Sequence, residues 1–552
     1  MEAMTSESPR VLGEATLAEL RARMLGPVIS PDDSGYENAR RIWNGAIDMH
    51  PALVLRCSGV ADVISGVQFA CSEGLPVAIR GGAHSVAGFS TCDGGVVLDL
   101  SAMAAVRVNP RGRRALAQGG ATWRRFDHET QAHGLATPGG RVSSTGIGGL
   151  TLGGGIGHLL RKHGLACDNL LAAEMVTADD TLVRASAEEN TDLFWALRGG
   201  GGNLGVVTLF ELALHRVGPT ILGGVIYYPG AQAAQVLAGW RDATVDAPDE
   251  LTTLVNLTTA RPAPGLPRDL HGTKVAALVA CWAGPQDDGL EVVRPLRTLG
   301  TPLADLLTPM PYLTLQRLVD PLCGPGAANY FTSAFIDELP NAAIQTFTDA
   351  HQCSAGPPAA CELHIHQLGG AMARVGPDAT AFSQRQPPYL INCITRTPTT
   401  DGFAAHRAWA RGTRDAMAQF GAGRTYINFT GEDDHDNTRA SYPPETHARL
   451  TAVKQRYDPG NLFRCVHNTP PAPGRRERTA EHNTAAGPRA GRGSLAARPE
   501  SMCTSSPARR RPGVFGRSSA QAREHADRPD LCALTENVGS HADRADRRLR
   551  RC

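Results

Sequence analysis

Short apolar runs separated by polar turns organise the first part of the chain. Residues 52–55 and 75–79 read as buried strands. Between them, Val63, Ile64, Val67 and Ala70 recur at helical spacing, which predicts a helix over 61–73 and a strand–helix–strand unit. Further strands are expected at 96–100, 115–118, 175–177 and 205–208, and helices at 122–133 and 192–197, after a short amphipathic helix over 16–25. Between 138 and 157 glycine overrides the periodicity. A helix loses about 1 kcal/mol for each glycine that replaces alanine, so this stretch predicts a folded loop running up to a helical 158–162. A four-glycine turn follows at 199–202.

From about residue 218 the glycine clusters thin and longer elements alternate. Strands are expected at 222–228, 275–282, 361–367 and 425–429, and helices at 231–244, 342–350 and 445–457, the last ending at Asp458-Pro459-Gly460. The pattern divides the chain into an N-terminal helical segment (1–44), a glycine-rich domain (45–217), a second domain (218–423) and a closing segment (424–473). Residues 474–552 are rich in Arg, Ala, Ser, Gly and Pro without periodicity, which predicts disorder. That tail reads either as a nucleic-acid-binding arm or as unselected sequence appended to a finished enzyme.

Composition narrows the class. The chain has 552 residues, 42% hydrophobic and 20% charged, with a net charge of +1, so no global field favours nucleic acid or membrane. The 13 cysteines include no C-x-x-C pair and no zinc spacing, which argues for a reducing compartment and no metal site. The N-terminal residues lack an apolar signal core, and no apolar stretch approaches the ~20 residues that span a bilayer. A cytoplasmic protein, monomeric or a small homo-oligomer, is the expectation.

Candidate chemistry gathers on glycine. Arg80-Gly81-Gly82-Ala83-His84-Ser85 follows the 75–79 strand, and a glycine turn there can present backbone N–H groups to an anion. A plain turn carrying a histidine is the alternative. On the 361–367 strand, Glu362, His364 and His366 share one face by the period of two. They are candidates for proton transfer with Tyr389 on the next strand, although a solvated sheet face has the same alternation.

Several motifs then fall in one order: Arg80 to His84, Val97 to Ser101, Thr137-Pro138-Gly139-Gly140, Gly148 to Gly157, Arg161 to Leu165, Asp192 to Asn203, Tyr426-Ile427-Asn428, and Tyr457-Asp458-Pro459 with Asn461 to Phe463. In this order the chain, over roughly 45–473, resembles the berberine bridge enzyme-like oxidases of the vanillyl-alcohol oxidase/p-cresol methylhydroxylase flavoproteins.

The resemblance implies an α+β fold. It implies a two-part FAD-binding domain, closed by the segment after about 424, and a substrate domain whose large antiparallel sheet is flanked by helices. It implies FAD bonded to His84, and a single link, because Val142 stands where some members carry a second, cysteine attachment. Around the cofactor it implies Arg80, Gly81, Gly82, Ser85, Gly139, Gly140, Thr145, Gly146, Gly148, Gly149, Gly153, Asn203, Val206, Val207, Asn428 and Asn468. The implied reaction is hydride transfer from a C–OH or C–N bond of a small molecule, with O2 as acceptor giving H2O2. Two residues depart from the pattern. Phe429 replaces a tyrosine that serves many relatives as base, and Val466 replaces an asparagine. The alternatives are a dehydrogenase with another acceptor and a flavin-binding pseudoenzyme, the latter raised by Phe429, Val466 and the tail.

Overall fold

The structure is a computed structural model that describes residues 12–263, 265–431, 439 and 441–472. The sequence expectation for 474–552 therefore lies outside the described residues.

The first sheet is built by the predicted strand–helix–strand unit. Leu53–Arg56 and Val77–Arg80 both run parallel to Val96–Asp99, which lies between them, and Val28–Ile29 adds an antiparallel edge. Helix Val60–Glu73 makes the crossover and buries Val63, Val67 and Ala70 against Leu55, Val77 and Leu98. It stops at Gly74, whose φ of +65° is a conformation that favours glycine. The second sheet is antiparallel, in the order Val106–Asn109, Arg114–Gln118, Val206–Ala213, Leu170–Val176, Leu182–Ser186.

The third sheet has eight strands, among them Thr220–Pro229, Lys274–Trp282, Leu251–Thr259, Ala360–Gln367, Tyr389–Thr397 and Ala328–Ile336. Its pairings are antiparallel. Helices Ala233–Thr244, Asn341–Gln352 and Phe403–Ala418 cover one face. There Trp240, Phe347 and Phe403 pack with Leu363, Ile365, Tyr389, Ile391 and Cys393. By alternation, Glu362, His364, His366, Asn392 and Arg396 turn to the opposite face.

The chain then returns. Ile427, Tyr442, Leu450 and Val453 join the core of the second sheet, and Phe463 joins that of the first. Among the described residues no helix is long and apolar enough to cross a membrane.

Two local expectations are corrected. Residues 425–429 form no strand; Ile427–Phe429 is a single tight helical turn. The reason is side-chain capture: Asn428 Nδ2 donates to the Leu150 carbonyl (3.0 Å) and the Tyr426 hydroxyl (2.8 Å), and Gly155 N–H donates to that same hydroxyl (2.9 Å). The glycine loop is not wholly irregular either, since Ile147–Leu152 is helical with Ile147 and Leu152 buried. Apolar burial there outweighs the propensity cost of Gly148 and Gly149.

Candidate functional site

The site forms where the loop after Val77–Arg80 meets the second glycine loop. Arg80 anchors the first loop from beneath. Its buried guanidinium donates to the carbonyls of Ser90 (3.1 Å), Arg40 (3.3 Å) and Ala39, with Asp99 3.9 Å away. Gly82 and Gly146 touch backbone to backbone, and a Cβ on either would overlap the other's main chain. The two glycine loops are thus packed into one wall of the cavity.

His84 stands at the edge of this wall. Its ring stacks on Trp43 (centroids 4.8 Å apart, 22° between planes), and its Nε2 lies 2.9 Å from Ser144 Oγ. Burial pushes its pKa down to about 4, with Asp320 acting weakly the other way, so at neutral pH the imidazole is uncharged. Trp43 is held by its own backbone: Trp43 N–H donates to Ala83 O, and Gly326 N–H donates to Trp43 O. Asn44 extends the seam, donating to the carbonyls of Val86 (2.7 Å) and Asn329 (2.9 Å). One short segment therefore ties the His84 loop to the edge strand Ala328–Ile336.

The wall and the third sheet enclose a cavity of about 390 Å³. That lies in the ~300–1,000 Å³ range of cofactor and small-molecule sites. On the sheet side Glu362 accepts from Arg261 (2.8 Å) and Arg396 (3.1 Å), and its Oε2 lies 3.2 Å from His364 Nε2. Burial alone would raise the Glu362 pKa, but Arg396, His364 and Arg261 outweigh it and hold the carboxyl well below its usual range. An ionised carboxylate only accepts, so the His364 proton sits on Nε2 and Nδ1 carries the free lone pair. His366, two residues on, accepts through Nδ1 from Arg141.

Of the residues expected from sequence, Gly81, Gly82, His84, Ser85, Gly140, Thr145, Gly146, Gly148, Gly149, Val207, Asn428, His364 and His366 line this one cavity. Seven others do not, and each has another task. Arg80 supports the loop through carbonyls. Gly139 makes room for the Trp123 ring, and Gly153 makes room for the Asn428 amide. Asn203 braces the C-terminal segment, donating to the Gly200 and His467 carbonyls while accepting from Thr469 N–H. Val206 packs in the first sheet's core, and Asn468 is set off the lining with its Oδ1 buried and unpartnered. Tyr389, a proposed proton acceptor, is turned to the helical face beside Trp240 (5.8 Å between centroids). Its strand parity excludes it from the cavity, where its neighbours Asn392 and Arg396 lie instead.

Sequence reasoning passed over Trp43, Arg141, Ser144 and Arg396. A charged side chain inside the glycine stretch was the available signal for Arg141. Arg396 carried no such signal, because its face follows from the pairing register of its strand with Ala360–Gln367.

These residues fit FAD. Gly81, Gly82, Gly146, Gly148 and Gly149 bring bare backbone to the cavity, which suits a pyrophosphate, Leu150, Val207 and Phe210 suit a ring system, and His84 offers a neutral imidazole.

Comparison with known proteins agrees. Residues 51–186 match the family model described as FAD binding domain, and 425–470 match that described as berberine and berberine like. A FAD-linked oxidoreductase of Dictyostelium discoideum is 31% identical over 440 residues, covering 79% of this chain and 92% of its own. The (R)-6-hydroxynicotine oxidase of Paenarthrobacter nicotinovorans is 31% identical over 457 residues, covering 81% and 97%. The crystal structure of 6-hydroxy-D-nicotine oxidase from Arthrobacter nicotinovorans superposes with a TM-score of 0.74 at 29% identity, over 81% of this chain and 98% of that one. The glucooligosaccharide oxidase of Acremonium strictum, whose FAD is joined by 6-S-cysteinyl and 8α-N1-histidyl links, shares the fold at 23% identity and a TM-score of 0.74, over 83% of this chain and 99% of that one. This chain is an FAD-binding oxidoreductase and belongs to the berberine bridge enzyme-like family of FAD-linked oxidoreductases.

Proposed function

We propose that this protein is an oxidase that carries FAD on His84 through one covalent link and oxidises a C–OH or C–N bond of a small molecule. Held at His84, FAD would supply a two-electron acceptor for the hydride of the substrate carbon, with O2 as the final acceptor giving H2O2. The remaining work falls to the chain.

The carrying observation is that His84 and the Glu362–His364 pair face one cavity from opposite walls. With Nε2 engaged by Ser144, His84 keeps Nδ1 for attachment, as the histidyl link of the glucooligosaccharide oxidase suggests. Val142 lines the cavity where a cysteine would be needed for a second link, which supports a single bond.

His364 takes the proton released from the substrate O–H or N–H as its carbon loses hydride, and the product is a carbonyl or imine. The proton enters at Nδ1, and Glu362 stabilises the imidazolium through Nε2–H. Arg396 and Arg261 keep that carboxylate ionised throughout. This arrangement supplies the acceptor that Phe429 cannot.

The test uses the purified protein. After acid precipitation the yellow colour should stay with the wild-type polypeptide and leave that of His84→Ala. Flavin reduced anaerobically should reoxidise within seconds of admitting air. Colour released from wild type overturns the covalent link, and flavin that stays reduced for minutes overturns the oxidase.

A further inference from the structure

Arg141 projects from the glycine-rich stretch into the cavity, and no carboxylate among the described residues lies within ion-pair distance of it. Its Nη1 donates to His366 Nδ1, while its Nε is buried with no partner. Burial lowers its pKa only to about 10, so it remains a cation at neutral pH. Cys281 nearby offers no counter-charge, since burial pushes its thiol up to about 12.

His366 makes a second unfilled donor. Because Nδ1 accepts from Arg141, its proton sits on Nε2, and that nitrogen is buried with no acceptor while the residue is only 2% exposed. His158 borders the same end of the cavity. Burial, with Arg141 beside them, pushes both histidines well below their usual pKa, so neither becomes a competing cation. A cation with no counter-charge and a buried N–H with no acceptor are costly, and buried polar groups in folded proteins nearly always have partners.

The geometry points to a substrate that carries a carboxylate, received by the Arg141 guanidinium and His366 Nε2–H, and that is oxidised beside His364. A guanidinium offers paired N–H groups that match the two oxygens of a carboxylate. The His364 and His366 rings are neighbours, with centroids 5.7 Å apart, so the oxidised carbon and the carboxylate belong to one compact molecule. Small hydroxy acids and cyclic amino acids have this form. The assignment rests on the reading of His364 as proton acceptor only for the place of oxidation; the anion site stands on Arg141 and His366.

The test is a binding measurement on the flavin-loaded protein. Acetate, benzoate and phenylacetate are titrated against their neutral amides, with perturbation of the flavin absorption as signal. At least one acid should bind about tenfold or more tightly than its amide, as expected for a charge-assisted pair. Arg141→Gln should abolish that preference and Arg141→Lys should keep part of it, both with flavin content equal to wild type. Equal binding of acid and amide in wild type overturns the proposal. So does an Arg141→Gln protein that keeps the preference while its flavin loses affinity for sulfite, because the cation then serves the cofactor. Neither readout needs turnover: a protein that binds benzoate through Arg141 but reoxidises slowly retains the anion site and loses the oxidase reading.

Discussion

His84 Nε2 lies 2.9 Å from Ser144 Oγ, and the ring so held is stacked on Trp43. A loop residue has thereby lost the rotational freedom that would otherwise let either nitrogen face the cofactor. Removing the hydroxyl frees the ring. A single hydrogen bond contributes about 0.5–1.5 kcal/mol, so Ser144→Ala should slow FAD attachment to apoprotein by about 2- to 10-fold while leaving the final stoichiometry intact. Attachment followed in denaturing gels by flavin fluorescence reads this directly.

The acid dependence of attachment has a definite sign. Only the uncharged imidazole is a nucleophile, and burial sets the His84 pKa near 4. The attachment rate should be flat from neutral pH to about 5 and should fall as pH drops through 4. An exposed histidine would instead begin to fail near its ordinary value of about 6.5.

The shared wall of Gly82 and Gly146 admits no side chain. Gly82→Ala would press a methyl into the Gly146 backbone, and the strain cannot be relieved by rotating a side chain. Overpacking of this kind costs about 1–3 kcal/mol. Loss of flavin at a melting temperature lowered by several degrees is the expected outcome, measured by absorbance ratio and calorimetry.

Glu362 couples the reaction to stability. Its carboxyl titrates below the ordinary range when folded, because Arg396 and Arg261 favour its charge over the opposing effect of burial. The stabilisation is present above the unfolded value of about 4.3 and is lost as pH falls from there toward the lower folded value. Glu362→Gln removes the titration and leaves two arginines unpaired, a loss of about 3–5 kcal/mol near neutrality for a buried pair. Melting curves of wild type and variant should therefore stay apart from pH 7 down to about 4.3 and converge only as the pH falls below that value.

His364 and Tyr389 give a contrasting pair. His364→Gln should slow flavin reduction by about 10²–10⁴-fold, the usual weight of a general base. Tyr389→Phe should change it less than twofold, since that hydroxyl lies across the sheet among the helices. Rapid mixing with any substrate that reduces the wild-type flavin decides both.

That contrast marks what the sequence could carry. Strand periodicity put Glu362, His364 and His366 on one face, and one face they occupy. It could not say which face of the neighbouring strand meets the cavity, because pairing register is a tertiary fact: Leu363 sits opposite Cys393 and His364 opposite Asn392, which sends Tyr389 to the helices. The glycine motifs were legible as a ligand wall, yet not every glycine faces the ligand. Gly139 and Gly153 are small because Trp123 and Asn428 need the space. Arg141 was hidden by its company, one cation in a run read for its glycines. Residues 425–429 looked like a strand from composition alone, and became a turn through the amide of Asn428.

The return of Ile427, Tyr442, Leu450, Val453 and Phe463 to the cores of the first two sheets has a consequence for biosynthesis. Asn428, Val466 and His467 line the same cavity as Gly82 and His84, which leave the ribosome some 350 residues earlier. At about 5–20 residues per second that interval is tens of seconds, during which the N-terminal wall exists without its lid. Flavin loading should therefore be a late event that reports synthesis through the closing segment: ribosome-arrested chains ending before residue 425 should be colourless, and yellow chains should appear only once that segment has emerged.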